Sequence, residues 1–139
     1  MNVMISRNEQ SCGLKAAQAG IVKIKQALSE RGEARIIVAT GASQFEMLNE
    51  LVQAELDWSK VTVFHLDEYI GIEDTHPASF RLYLKQRFEE KLPAALESMN
   101  YLDTSTSCSE INLDYGSKMA EKKVDVAFVG IGENSHLAF

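Results

Sequence analysis

The chain of 139 residues carries a net charge of −6, with 45% hydrophobic and 24% charged residues. This composition is typical of a globular domain with its own hydrophobic core. The acidic balance excludes a general nucleic-acid binder, which needs a basic surface. It leaves room for a phosphorylated metabolite, because a few backbone N–H groups hold one phosphate locally.

Cysteine usage and the N-terminal residues predict the compartment. Cys12 and Cys108 lie far apart and form neither a C-x-x-C nor a metal-binding pattern, so we expect reduced thiols. Residues 1–10 are polar, and no apolar run approaches the length of a membrane span. We therefore expect a cytoplasmic protein that is neither exported nor anchored to a membrane.

The first part of the chain alternates helical and extended patterns. Apolar residues at steps of three and four predict a helix over residues 11–31, which Gly32 ends. Residues 35–40 are rich in β-branched side chains and predict a buried strand. Ser43 and Glu46 match a capping box. They predict the start of a second helix with an apolar face of Phe45, Leu48, Leu51, Val52 and Leu56.

The middle of the chain repeats this alternation. Residues 61–66 form an apolar run that predicts a second strand. Pro77 suits the first turn of a third helix. The buried stripe expected for that helix consists of Phe80, Tyr83, Leu84 and Phe88.

The last part of the chain adds a helix between two strands. Residues 99–102 are a weaker strand candidate. Ser107 and Glu110 match a second capping box, for a helix that reaches about Glu121. Residues 124–129 predict the final strand.

This alternation predicts an α/β fold with an open parallel sheet and helices on both faces, a Rossmann-like arrangement. The sequence stops at three apolar residues, 137–139, directly after a glycine-rich loop. We therefore interpret residues 1–139 as a single α/β domain that is the N-terminal part of a larger one.

Three loops follow the predicted strands directly, at residues 40–43, 67–69 and 130–136. In open α/β sheets, ligands bind beyond the carboxyl ends of the strands. We therefore expect the three loops to open onto one crevice.

The first two loops each allow a functional and a purely structural interpretation. Gly41 to Ser43 lie at a predicted helix N-terminus, where free N–H groups favour an anion, and Thr40 adds a hydroxyl. The alternative is an ordinary turn between strand and helix. Asp67 and Glu68 can supply a carboxylate base, or they form a solvated acidic turn.

The third loop holds a histidine. His136 can carry a proton with Asn134 as its polar partner, although a lone loop histidine is more often only solvated. Gly130, Gly132 and Ser135 also mimic a dinucleotide-binding pattern. That pattern is weak here, because the third glycine is missing and the loop follows a late strand.

Together, the three loops resemble the glucosamine-6-phosphate deaminase/isomerase family, which shares its fold with 6-phosphogluconolactonases. Residues 66–71 and 76–80 (LDEYIG and HPASF) are similar to the family segment M-D-E-Y-x-G…H-P-x-S-[YF]. Residues 128–139 (FVGIGENSHLAF) are similar to its G-x-G-x-[DN]-G-H-[IL]-A-F signature. Residues 39–43 (ATGAS) correspond to the phosphate loop P-T-G-[GS]-[TS].

The resemblance implies an enzyme that acts on an amino-sugar phosphate without a metal or organic cofactor. Asp67 would move a proton between C1 and C2, which couples isomerisation to loss of ammonia. His136, oriented by Asn134, would open the sugar ring. The substrate and its phosphate would bind to Thr40, Gly41, Ala42, Ser43, Glu68, Tyr69 and Gly132.

Several positions depart from the family pattern, among them Ala42 and Gln44, which stand where the phosphate loop usually has glycine and proline. Asn134 stands where well-known members have an aspartate, and Ser135 replaces a glycine. The family's later glutamate and its basic phosphate ligands would follow residue 139. We therefore expect the 139 residues alone to bind sugar phosphates weakly, with little deaminase activity.

Two other functions stay open. A lactonase would use His136 to activate water, although Tyr69 stands where lactonases typically have arginine. A sugar-phosphate sensor would keep the pocket without turnover, which Asn134 and Ser135 favour. The sequence leaves the oligomeric state open, and the family often forms homo-oligomers.

Overall fold

The fold is a four-stranded parallel sheet with helices, seen in a computed structural model that describes residues 2–137. In chain order its elements are α1 (Glu9–Arg31), β1 (Ala34–Val38), α2 (Phe45–Leu51), β2 (Val61–His65), α3 (Phe80–Arg87), β3 (Ser98–Asn100), α4 (Cys108–Ala120) and β4 (Val126–Phe128). Short 3-10 helices cover Ala42–Gln44, Trp58–Lys60 and Glu89–Lys91. The last two residues of the family signature, 138 and 139, lie outside the described part.

The order of the strands creates a switch point between β1 and β4. The sheet order is β3-β2-β1-β4, and all neighbouring strands are parallel. The chain moves outward from β1 to β3 and then returns to the other side of β1. The loops after β1 and β4 therefore diverge, and ligands of open α/β sheets bind at such a point.

Helices cover both faces of the sheet, as the sequence predicts. On one face, Gly20 of α1 lies against the ring of Phe128 in β4. On the other face, Tyr115 of α4 meets the ring of Phe64 in β2 edge-on, with ring centroids 5.6 Å apart. The strand register places Phe64 and Phe128 on opposite sides of the sheet.

The core lies between the sheet and the helices α1, α2 and α3. The fully buried rings of Trp58 and Phe88 meet edge-on at 5.9 Å, next to the inward side chains of the central strands. Burying one such side chain stabilises a fold by about 1.5–3 kcal/mol. The central strands contribute Ile36, Val38, Val61 and Val63 to this layer.

The first and last helix starts agree with local sequence chemistry. The capping box of Ser107 and Glu110 is confirmed, because the Glu110 N–H donates to the Ser107 hydroxyl and the Ser107 N–H to the Glu110 carboxylate. The first helix begins slightly earlier than predicted, since Asn8 caps it by accepting from the Ser11 N–H at 2.8 Å.

The capping box predicted for the second helix is wrong. Ser43 lies inside the 3-10 helix Ala42–Gln44, and no side-chain cap forms at the start of α2. The reason is a tight turn, in which the Gln44 N–H donates to the Gly41 carbonyl at 3.1 Å. The helix also ends at Leu51 rather than continuing to Leu56.

The predicted start of the third helix is also wrong. Pro77 lies before α3, and Ser79 is the cap, with its hydroxyl accepting from the Leu82 N–H at 3.3 Å. The four predicted strands are all present, each shorter than predicted, and β1 and β3 begin one residue earlier than expected. Within residues 2–137, none of the helices is both long and apolar enough to cross a bilayer.

Candidate functional site

A crevice of about 1110 Å³ opens at the carboxyl ends of β1, β2 and β4. All three loops that follow these strands line it, so the expected shared crevice is present. Of the predicted site residues, those on its wall are Thr40, Gly41, Ala42, Ser43, Asp67, Tyr69, Gly132 and His136.

The loop of residues 40–43 is shaped by Gly41. Its φ of 103° lies in a region that side chains other than glycine rarely adopt. Gly41, Ala42 and Ser43 are exposed and line the crevice. The turn after β1 and the turn after β4 touch, because a Cβ at Gly130 would lie 2.9 Å from the Ser43 hydroxyl oxygen.

Asp67 is a half-buried carboxyl group on the crevice wall. Burial raises its pKa above the ordinary value, and the charge of Glu68 raises it further. The nearby His136 acts in the opposite direction and lowers the pKa by a smaller amount. A raised pKa brings a carboxyl group closer to the range in which it can accept and return protons near neutral pH.

Glu68 points away from the crevice, although it is the neighbour of Asp67. Its carboxylate accepts from the N–H groups of Tyr69, Phe80 and Arg81 at 3.0, 3.1 and 2.9 Å, and from the Ser79 hydroxyl at 2.9 Å. Burial would raise the pKa of Glu68, but these hydrogen bonds outweigh it and lower the pKa. Glu68 therefore holds the N-terminus of α3, and the structure does not bring it to the crevice.

The loop after β4 folds back so that His136 lies over Gly132. The Gly132 N–H donates to the His136 carbonyl at 2.8 Å, and the Ser135 N–H donates to the Gly132 carbonyl at 2.9 Å. A side chain at position 132 would overlap the imidazole ring, so any residue larger than glycine would displace His136 from this position. Ser135 takes the left-handed conformation, with a φ of 68°, where the family pattern has glycine.

Asn134 contacts the ring of His136 directly. Its amide oxygen lies against Nδ1 of the imidazole. An amide oxygen is only an acceptor, so this contact places the proton on Nδ1 and leaves Nε2 to accept from a ligand. Asn134 itself is not on the crevice wall, and it orients the ring that is.

The crevice wall also includes residues that were not predicted as site residues, among them Phe80 and Gln44. Phe80 was expected in the apolar core, yet it lines the crevice with its ring 5.0 Å from that of Tyr69. Gln44 is buried beside Ser43 and donates to its hydroxyl at 3.2 Å. A preferred capping residue, Ser79, directly precedes Phe80, so the sequence could have placed Phe80 at the start of the helix rather than on its buried stripe.

Comparison with known proteins now identifies the class. The sequence profile of the family described as glucosamine-6-phosphate isomerases/6-phosphogluconolactonase matches residues 7–138. The chain belongs to this family.

Individual relatives agree with that assignment. A glucosamine-6-phosphate deaminase of Lactobacillus delbrueckii subsp. bulgaricus is 30% identical over 142 residues, which cover 100% of this chain and 57% of the relative. The deaminase of Clostridium acetobutylicum is 36% identical over 108 residues, or 73% of this chain and 45% of the relative. The chain thus spans about half the length of the relatives it matches.

Solved structures show the same fold. A monomeric glucosamine-6-phosphate deaminase superposes with a TM-score of 0.83 at 22% identity, over 99% of this chain and 58% of that one. A 6-phosphogluconolactonase homologue from Neisseria gonorrhoeae superposes with a TM-score of 0.76 at 26% identity, over 94% of this chain and 58% of that one.

Proposed function

We propose that this protein is a glucosamine-6-phosphate deaminase/isomerase, and that the described residues carry its base, its ring-opening histidine and part of its phosphate site. The observation that carries the proposal is the convergence of the loops at 40–43, 67–69 and 130–136 on one crevice, with Asp67 and His136 both on its wall. The relatives that match the chain bear the same activity in their names.

Each chemical step has a residue suited to it. The exposed turn at Gly41 to Ser43 binds the phosphate through free N–H groups. Nε2 of His136 accepts and returns a proton at the sugar ring, which opens it. The Asp67 carboxylate then takes the proton from C2 and delivers it to C1, which converts the open-chain amino aldose into a C2 imine. Water adds to this imine at C2, the C2–N bond breaks, and ammonia leaves as the C2 ketone forms.

The proposed protein is a cytoplasmic enzyme of amino-sugar metabolism whose partner is a small sugar phosphate rather than nucleic acid or membrane. The acidic charge of −6 supports the exclusion of nucleic acid. Homo-oligomerisation is compatible with the family and is measured by sedimentation of the purified protein.

Substrate assays of the full-length protein test this function. We expect glucosamine 6-phosphate to be converted to fructose 6-phosphate and ammonia in equal amounts. Hydrolysis of 6-phosphogluconolactone without ammonia release would instead establish the lactonase function. Binding of the sugar phosphate without any turnover would establish a sensor, which the left-handed Ser135 and the uncharged Asn134 favour.

A further inference from the structure

The carbonyl oxygen of Gly41 is held from outside its own loop. The Gln44 N–H donates to it at 3.1 Å within the turn, and the Tyr83 hydroxyl donates to it at 2.9 Å from α3. Neither the 3-10 helix Ala42–Gln44 nor α2 has a side-chain cap. The bond from Tyr83 therefore ties a turn that its own helix leaves without side-chain support.

The ring of Tyr83 holds the other end of the same turn. It stacks on Phe45, the first residue of α2, with ring centroids 5.8 Å apart and an interplanar angle of 17°. The guanidinium of Arg87 lies 4.2 Å from the Phe45 ring centroid and 5.5 Å from that of Tyr83. Cation–π contacts of this kind favour the stacked arrangement. One side chain of α3 thus contacts both Gly41 and Phe45.

The Tyr83 hydroxyl is a permanent donor at neutral pH. Burial raises the pKa of Tyr83 to about 12, while the nearby charge of Arg87 lowers it by a smaller amount. The neutral phenol keeps its proton, and a carbonyl oxygen can only accept, so the direction of the bond is fixed.

The helix that carries Tyr83 is itself attached to the turn of Asp67. The Glu68 carboxylate accepts from the N–H groups of Phe80 and Arg81 at the start of α3. Residues 80 and 83 belong to the same helix, so α3 is a spacer between the proposed base and the proposed phosphate loop. The distance between these two groups must match the length of the substrate.

We propose that Tyr83 is a positioning residue for phosphate binding, whose hydroxyl holds the Gly41 carbonyl and so keeps the turn at 41–44 in its anion-binding shape. This role rests on the proposed function of the crevice. It acts on the phosphate end of the substrate and not on C1 or C2.

The substitution Tyr83→Phe in the full-length protein tests this role, because it keeps the stacked ring and removes one hydrogen bond. We expect KM for glucosamine 6-phosphate to rise roughly two- to tenfold, the effect of one net hydrogen bond, with kcat little changed. Tyr101→Phe is the matched control. Tyr101 is also half-buried, and its hydroxyl donates to Glu89 at 2.8 Å, but Glu89 does not line the crevice, whereas Gly41, the partner of Tyr83, does.

Amide hydrogen exchange of the Gln44 N–H, which donates to the Gly41 carbonyl at 3.1 Å, provides a readout without substrate. We expect faster exchange in Tyr83→Phe than in the wild type or in Tyr101→Phe. Unchanged KM together with unchanged exchange would overturn the positioning role, as would an equal rise of KM in both variants. If the wild type binds no sugar phosphate, the proposed function fails, and the exchange rates still decide whether Tyr83 holds the turn.

Discussion

At the scale of single residues, Asp67 and Glu68 show how one carboxylate pair is divided between two tasks. They lie just beyond β2, which ends at His65, and only Asp67 of the pair lines the crevice. Glu68 is instead enclosed by donors from α3. Burial raises the pKa of Asp67. Burial would also raise the pKa of Glu68, but its hydrogen bonds outweigh that effect and lower the pKa.

The role proposed for Asp67 is tested by Asp67→Asn in the full-length protein. The amide keeps the shape of the side chain but cannot accept a proton from carbon, so we expect deamination and solvent-deuterium exchange at C2 to be nearly abolished. Binding of the sugar phosphate should be largely retained. Asp74→Asn is the control, because Asp74 is exposed and lies outside the crevice wall. Exchange at the wild-type rate in Asp67→Asn would exclude this residue as the base.

The strained conformation of Ser135 predicts a stabilising substitution. A left-handed residue other than glycine is disfavoured, and Ser135 has a φ of 68°. Ser135→Gly relieves this strain, but glycine also gives the unfolded chain more conformational entropy, which opposes folding. The net effect should raise the free energy of unfolding by roughly 0.5–1 kcal/mol relative to the wild type. Ser135→Ala keeps the strain and should show no gain. The free energy of unfolding in urea measures both, and an equal gain in the two variants would contradict the explanation.

At the scale of elements, α3 depends on a carboxylate that precedes it in the chain. Helix N-termini leave N–H groups without partners, and those of Phe80 and Arg81 are satisfied by Glu68 rather than by solvent. A negative charge at this end of a helix is favoured by the helix dipole as well. The helix is therefore fixed in both position and direction relative to β2.

Replacing Glu68 measures the strength of this attachment. In Glu68→Gln the charge is lost, and the new NH₂ group faces N–H donors, so we expect a loss of roughly 2–3 kcal/mol in the free energy of unfolding. Glu73→Gln is the control, because Glu73 is exposed in the loop before α3. A change in Glu68→Gln no larger than in this control, measured by urea unfolding, would show that solvent satisfies the helix equally well.

At the scale of the whole molecule, a buried histidine couples stability to pH. His65 ends β2, is 0% exposed, and has no hydrogen-bond partner for either ring nitrogen among the described residues. Burial lowers its pKa from 6.5 to about 4, with a smaller contribution from Arg81 in the same direction and an opposing one from Glu68. The folded protein therefore keeps this ring neutral where the unfolded chain would already protonate it.

The sign of the effect follows from the number of bound protons. Between pH 6.5 and about 4 the unfolded state binds more protons at His65, so stability falls as the pH falls through this window. The slope from this group is at most about 1.4 kcal/mol per pH unit. His65→Leu should flatten the dependence, while His76→Gln, at an exposed histidine, should leave it unchanged. Urea unfolding at several pH values measures this, and an equal slope in wild type and His65→Leu would refute it.

Much of this architecture could be predicted because its signals are local. The helices and strands were predicted from the spacing of apolar residues, from runs of β-branched residues and from the capping box of Ser107 and Glu110. All of these patterns involve residues close in sequence, and the structure confirms the helices and strands that they predicted. Loops that follow parallel strands must lie at one edge of the sheet, so the shared crevice could be inferred as well.

Other features depend on contacts between distant segments, which a local pattern cannot contain. The return of β4 to the free side of β1 forms the switch point, and it is set by packing of the sheet on its helices. The carbonyl of Gly41 meets Tyr83 across 42 positions of sequence, and the turn there replaces the cap expected from Ser43. Glu68 was expected in the substrate site, but its carboxylate accepts from N–H groups at the start of α3. A buried N–H group without an acceptor is costly, and a pattern of neighbouring residues does not show which distant N–H groups need one.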